Sequence, residues 1–361
     1  MENLTIGNLA EIVAALPAEE QQRFRRIFAV TSTTGELRIP KGMAPWVSQH
    51  FGSVAAVSQQ KIVKVNNQVT GEGTLFNQLR SLRPIQSRRE QCDVIEPVDN
   101  SINDLFQYPE ANTPADVFGR VTGKYCITAS NIAKYDGLHG LVIFKDFDRQ
   151  HFSKEQIIDF IDTGWEWAQR AHSREPDAHY FLFIWNCLWR AGASIHHGHA
   201  QVMLTRHSHY AKIESLRRAA RGYQRDYAAD YFSDLYQAHR AVGCAAEKNG
   251  VKTLAMLTPF KDNEVMLIGD GLNLPLEERI YEVLTCFRDR LGVTTFNLGL
   301  VTPPLGETEE SWQGFPVVAW MLDRGDLNSQ ASDVGGMELF AQSVVASDPF
   351  ELARQLKICP V

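Results

Sequence analysis

From about residue 123 onward, short runs of β-branched and aromatic residues alternate with turn residues, the pattern of antiparallel strands. Strands are predicted at 123–128 (GKYCIT) and 140–145 (GLVIFK). A helix follows from Ser153, an N-cap with Gln156 in the capping-box position, and its apolar residues Ile157, Phe160, Ile161, Trp165 and Ala168 share one face. Two more strands, 179–186 (HYFLFIWN) and 200–205 (AQVMLT), complete a β-β-α-β-β unit. The same order recurs as strands at 251–257 and 264–268, a helix at 276–290, and strands at 294–301 and 315–322. Between the units, Ile213, Leu216, Tyr223, Tyr227, Tyr231 and Leu235 form a stripe over 211–248 that predicts one or two packing helices.

Upstream the pattern is weaker. Residues 1–60 read as a helical, then irregular, segment. A strand-like run (Ile62, Val63, Val65) leads through Gly71 and Gly73 into the segment Thr74 to Pro84, and 97–120, rich in Asp, Asn and Pro, reads as a long connection. The organisation expected is therefore an N-terminal segment 1–60, a catalytic half 61–210, a helical connection 211–250 and a second half 251–361. The fold class is α+β, with antiparallel sheet and helices on the outer faces.

Composition narrows the function. With 361 residues, 44% of them hydrophobic, the chain can bury a full core. A formal net charge of −7 gives no general attraction to nucleic acid or to an anionic membrane, so neither is an expected partner and any phosphate must be held by a local cluster. Met1 to Pro17 carries Glu2 and Glu11 and spaces its apolar residues like an amphipathic helix, unlike a signal peptide, and no run is long enough to span a bilayer, so a cytoplasmic location is expected. The six cysteines form no CxxC pair, which argues against a disulfide framework or a zinc ribbon.

The chemistry concentrates in Asn186 to Gln201, NCLWRAGASIHHGHAQ, which joins two predicted strands. If 197–201 is extended, His197, His199 and Gln201 point to one face and His196 to the other. An imidazole whose Nδ1–H is tied to a backbone carbonyl has its lone pair on Nε2 and is a competent nucleophile toward phosphorus. The small residues Gly192, Ala193 and Ser194 would let backbone N–H groups and a hydroxyl approach phosphate oxygens, and Gln201 would add an amide donor. Two other readings stay open: a metal site built on His197 and His199 with His207 or His209, and a purely structural cluster. Arg80 and Arg83, three apart, are either phosphate ligands or a solvated loop face.

The segment Asn186 to Gln201 resembles the active-site signature of one branch of the histidine-triad superfamily, that of the galactose-1-phosphate uridylyltransferases and diadenosine tetraphosphate phosphorylases. The signature is Asn, a small-residue loop ending in Ser, then His-x-His-x-Gln. Ser130 to Ile143 is similar to the phosphorylase stretch containing Asn, Lys and a later His, here Asn131, Lys134 and His139. Phe76 to Pro84 is similar to the family's Asn-Pro-Leu and Arg-x-x-Arg-Pro elements, which fall on Asn77, Arg80 and Arg83. The likeness covers roughly residues 74 to 205, and the second half through element order and Gly335 to Glu338.

The resemblance implies two tandem duplicated half-barrels, each β-β-α-β-β, with His199 as nucleophile, His197 and Gln201 beside it, and Asn186 and Ser194 on the phosphate. It implies transfer of a nucleoside monophosphate from a dinucleoside polyphosphate or nucleotide sugar to phosphate or a sugar phosphate, phosphorylase-type chemistry being favoured over hexose-1-phosphate uridylyl transfer. A nucleotide-binding sensor without turnover is the rival reading, and a homodimer is left open. No cofactor is expected. The uridylyltransferases' zinc site retains only Cys92 of its CxxC pair, with His151 near a third position and His197 as the last, which leaves a weak zinc or magnesium site as the alternative. The strand of the second half that would carry paired histidines reads Phe315 to Trp320, so that half is expected to be scaffold and pocket wall.

Overall fold

The structure is a computed structural model that describes residues 4–82, 104–146, 151–329 and 331–359. Arg83, Cys92 and the zinc-like position near Asp148 lie outside the described residues.

The alternating runs form a nine-stranded sheet in the order β4-β5-β7-β6-β11-β12-β10-β9-β8. The first four of these strands are β4 (Cys126–Ser130), β5 (Leu138–Phe144), β7 (His199–Arg206) and β6 (Ala178–Asn186). The others are β11 (Phe296–Val301), β12 (Val317–Asp323), β10 (Val265–Gly269), β9 (Val251–Ala255) and β8 (Ala245–Lys248). Every pairing in this sheet is antiparallel. The two β-β-α-β-β sets meet at β6 and β11, and the spatial order of the second is the reverse of the first. Predicted strand positions differ from the observed ones by no more than a few residues, but β8 was expected to be helical connection. Its four residues, Ala245 to Lys248, are too few to show a period.

The first helix, Lys154–Arg174, begins with the expected capping box: Ser153 accepts from the Gln156 N–H and the Gln156 side chain accepts from the Ser153 N–H. Its buried stripe includes Ile157, Phe160, Ile161, Gly164, Trp167 and Ala168. Trp165, expected on that stripe, is only partly buried, while Trp167 is the fully buried one. Gly164 sits so close to β6 and β7 that a β-carbon there would come within 3.0 Å of Phe183 and 3.1 Å of Val202. Val202 therefore faces the helix, and by the two-residue period His199 and Gln201 face the other way. The second helix, Leu274–Asp289, packs against the second half of the sheet and against the first helix.

Two helices, Ala211–Tyr227 and Tyr231–Ala241, connect the halves. The N-terminal sixty residues are not only helical and irregular. They contain β1 (Phe28–Glu36), which pairs with β2 (Gln59–Asn67). These strands continue into β3 (Gly73–Phe76) and β13 (Ser343–Val345) as a separate four-stranded sheet. The β3–β13 pair is parallel, an exception to the antiparallel expectation, and it ties the end of the chain to its beginning. The run Thr31-Ser32-Thr33-Thr34 in β1 has three β-branched threonines but is polar and exposed, so hydrophobic alternation does not reveal it.

Candidate active site

Two residues of the expected signature, His199 and Gln201, stand on β7, one strand in from the edge pair β4–β5. His199 pairs in register with Ile143, and Gln201 with Leu141 and Ile184. Both side chains are buried. The ring of His199 is oriented by its Nδ1, 2.8 Å from the carbonyl oxygen of His197. A carbonyl only accepts, so Nδ1 carries the proton and the lone pair of the neutral ring belongs to Nε2.

His197 behaves differently from the expectation. It precedes β7, and its ring is committed at both nitrogens: Nδ1 is 2.6 Å from Asp104 Oδ2 and Nε2 is 2.7 Å from the carbonyl oxygen of Phe144. The three polar groups thus do not converge on one ligand position. His197 instead holds the backbone carbonyl that orients His199.

Gln201 is fixed by a residue outside the signature. The N–H of Tyr135 donates to His139 Nδ1 at 2.9 Å, so the ring proton sits on Nε2, which donates to Gln201 Oε1 at 2.8 Å. The amide oxygen of Gln201 is used in this way, and its NH2 group is the part left to face a ligand. His139 is fully buried, and burial is the main cause holding its pKa below the ordinary imidazole value, against the raising effect of the Gln201 bond. The neutral ring demanded by these hydrogen bonds is also the form burial favours.

Asn131 and Lys134 join the site around His139. Asn131 Oδ1 accepts from the Ala133 N–H at 3.0 Å, which leaves its Nδ2 3.2 Å from His139 Nε2 as a contact between two donors rather than a hydrogen bond, and Lys134 Nζ donates to the His139 carbonyl at 2.9 Å and to Ser130 Oγ at 2.8 Å. Lys134 brings an ammonium group to this corner, with Asp116 Oδ1 3.8 Å from it.

The loop from Asn186 to Ser194 corrects another expectation. The N–H groups of Ala191, Gly192 and Ala193 donate to the carbonyls of Leu188, Trp189 and Leu188, at 3.1, 3.0 and 3.1 Å. They close a tight turn rather than an anion nest. Gly192 is required there because its φ is +101°, a conformation side chains other than glycine rarely adopt. Ser194 is exposed on the following bend. Asn186, at the end of β6, presents its amide nitrogen toward Gly192, where a β-carbon would come within 3.8 Å of Nδ2.

Asn77 and Arg80 lie on the small sheet and the turn after it. The Asn77 amide caps its own turn, accepting from the Leu79 N–H at 3.1 Å and donating to Gln60 Oε1 at 3.1 Å, and Arg80 is exposed. Neither enters the hydrogen-bond set around His199. Among the described residues no group of three or more His, Cys, Asp or Glu side chains is arranged to hold a metal ion, and His207 and His209 do not form one with the signature.

Phe106 covers the site. Its ring meets His199 edge-on at 5.3 Å and His197 at 5.9 Å, and it is buried with Ile127, Ala129, Leu141 and Ile143 in a small apolar cluster of its own. Asp104, Phe106 and Asn297 were not singled out from the sequence. Asn297 carried a readable signal, a lone amide inside an apolar strand. His139, quoted but given no role, carried the same kind of signal. Asp104 and Phe106 carried none.

The arrangement defines an α+β protein with a buried, tautomer-fixed histidine on an antiparallel sheet, and solved structures share its fold. The chain has the fold of an ADP-glucose phosphorylase from Arabidopsis thaliana solved with bound ADP-glucose, at 16% identity and a TM-score of 0.61 over 81% of this chain and 97% of that one. It is similar to a uridylyltransferase at 15% identity and a TM-score of 0.56, over 81% of this chain and 96% of that one. A galt-like protein from Arabidopsis thaliana gives 14% identity and a TM-score of 0.53 over 69% of this chain and 93% of that one. No family model and no curated protein matches the sequence. These likenesses in fold agree with the resemblance to the uridylyltransferase and phosphorylase branch read from residues 74 to 205.

Proposed function

We propose that this protein is a nucleotidyltransferase of the phosphorylase type, built of two tandem histidine-triad-like half-barrels, in which His199 carries a nucleoside monophosphate. The mirrored strand orders on either side of β6 and β11 support the duplication. The single observation that carries the mechanism is the 2.8 Å contact between His199 Nδ1 and the His197 carbonyl, which assigns the nucleophilic lone pair to Nε2.

In the first step Nε2 attacks the α-phosphorus of a nucleotide sugar or dinucleoside polyphosphate. The N–P bond forms as the bond from phosphorus to the bridging oxygen breaks, and that oxygen leaves on a sugar phosphate or nucleoside polyphosphate. In the second step an oxygen of inorganic phosphate attacks the same phosphorus, the N–P bond breaks, and a nucleoside diphosphate is released. The ring is positively charged in the intermediate, and the His197 carbonyl against Nδ1–H stabilises it. Amide donors at Gln201 and Asn186, with Ser194 and Lys134, would meet the equatorial phosphoryl oxygens, where such positioned donors act mainly on the transition state.

The likeness to a uridylyltransferase keeps one second reading, transfer to a hexose 1-phosphate. The test is incubation with ADP-glucose, UDP-glucose and diadenosine tetraphosphate, each labelled at the α-phosphate. An acid-labile, base-stable adduct is expected on the wild-type chain and none on His199→Ala. Discharge of the adduct by phosphate supports the phosphorylase reading, and discharge only by hexose 1-phosphate supports the other. A wild-type chain that binds these nucleotides yet never becomes labelled would be a sensor.

A further inference from the structure

The half of the chain without histidines reaches into the site through Asn297. Asn297, on β11, pairs in register with Asn186 on β6, at the seam between the two halves. Its Nδ2 donates to Asn186 Oδ1 at 2.7 Å and to the Ala191 carbonyl at 2.9 Å.

The orientation of this amide is forced. Arg324 Nη1 donates to Asn297 Oδ1 at 2.6 Å, and a guanidinium has no acceptor, so the atom it meets must be the oxygen. The guanidinium is itself clamped by Asp333, through Nε to Oδ2 at 2.7 Å and Nη2 to Oδ1 at 3.1 Å. With its oxygen taken, Asn297 can turn only its NH2 toward β6. Asn186 must answer with its oxygen, which turns the Asn186 NH2 toward Gly192 and the loop. The sequence of constraints runs from Asp333 through Arg324 and Asn297 to Asn186. Arg190 locks the same parts together, donating to the carbonyls of Arg324, Ser329 and Ala331.

We propose that Asn297 is a positioning residue for phosphoryl transfer: by holding the oxygen of Asn186 it keeps the Asn186 NH2 aimed into the loop beside His199. This assignment rests on the reading of His199 as the nucleotidyl carrier. It makes the second half part of the transfer machinery, and it parallels on the other side of the site what His139 does for Gln201. Both amides have their oxygen occupied by a neighbour's N–H and so present donors only, as an anionic ligand requires.

Asn297→Asp is the informative substitution. A carboxylate still accepts from Arg324, but it faces Asn186 with an acceptor and draws the Asn186 NH2 out of the loop. With a nucleotide from the panel that labels the wild-type chain, adduct formation at saturating concentration should slow about 100-fold in Asn297→Asp, as in Asn186→Ala. The double variant should be no slower than Asn186→Ala by more than about 3-fold, because the two act as one unit. Asn297→Ala enters the same cycle should the Asp variant not fold. Wild-type labelling rates in the folded single variants, or losses that multiply in the double variant, would overturn the assignment. Absence of label on the wild-type chain would instead overturn the reading of His199.

Discussion

Asp104 Oδ2 lies 2.6 Å from His197 Nδ1, with both side chains almost wholly buried. This contact anchors the segment after residue 103 to the residue whose carbonyl aims His199. The other ring nitrogen lies 2.7 Å from the Phe144 carbonyl, so the ring is held from both sides. Removing the carboxylate frees the ring to turn. Asp104→Ala should therefore lower the rate of adduct formation by about 10- to 100-fold through loss of His199 alignment. Single-turnover labelling is the measurement, and an unchanged rate would separate His197 from the orientation of His199.

Gly198 stands between the two histidines with no room to spare. A β-carbon there would come within 2.7 Å of Phe144 Cδ2. That ring cannot retreat, since it stacks on Phe160 at 3.7 Å between centroids and meets Trp185 edge-on at 5.0 Å. Gly198→Ala should cost about 1–3 kcal/mol of stability by overpacking and shift both histidines. Urea unfolding with labelling on the same sample tests the two effects together.

Phe106 limits access to His199, which is only 7% exposed. Removing this ring should open the side of His199 against which it packs. Phe106→Ala should speed modification of His199 by diethyl pyrocarbonate several-fold. Peptide mapping of the modified histidine reads the rate, and equal rates in the two proteins would mean that the ring is no barrier.

His239 supplies a pH dependence away from the site. Its Nδ1 donates to the Leu235 carbonyl at 2.8 Å and its Nε2 accepts from the Leu257 N–H at 3.2 Å, so the ring must be neutral. Burial holds its pKa at about 4, below the ordinary 6.5. As pH falls the unfolded chain takes up this proton first. The stabilisation is therefore complete above about pH 6.5, is lost progressively toward pH 4, and changes no further below that. The loss amounts to roughly 3 kcal/mol. His239→Leu should lack this component, so the stability difference between wild type and variant should narrow across that window in urea titrations at successive pH values.

The candidate site was legible because it is carried by local sequence. Asn186 to Gln201 joins the ends of two strands, and strand alternation alone places His199 and Gln201 on one face. The roles of His197 and of the small-residue loop were misread for a common reason. Spacing says which residues are near one another, but not whether a donor is already used within the protein. Ala191, Gly192 and Ala193 spend their N–H groups on the turn they form.

The amino-acid order by itself determined the two β-β-α-β-β units, the capped first helix and the strand that carries His199, because hydrophobic period and capping act over a few residues. Only the tertiary structure decided which partners orient the site. Asp104 is 93 residues from His197, Asn297 is 111 from Asn186, and His139 is 62 from Gln201. Hydrogen bonds across such distances depend on strand order and register, and these are settled by the packing of the whole sheet.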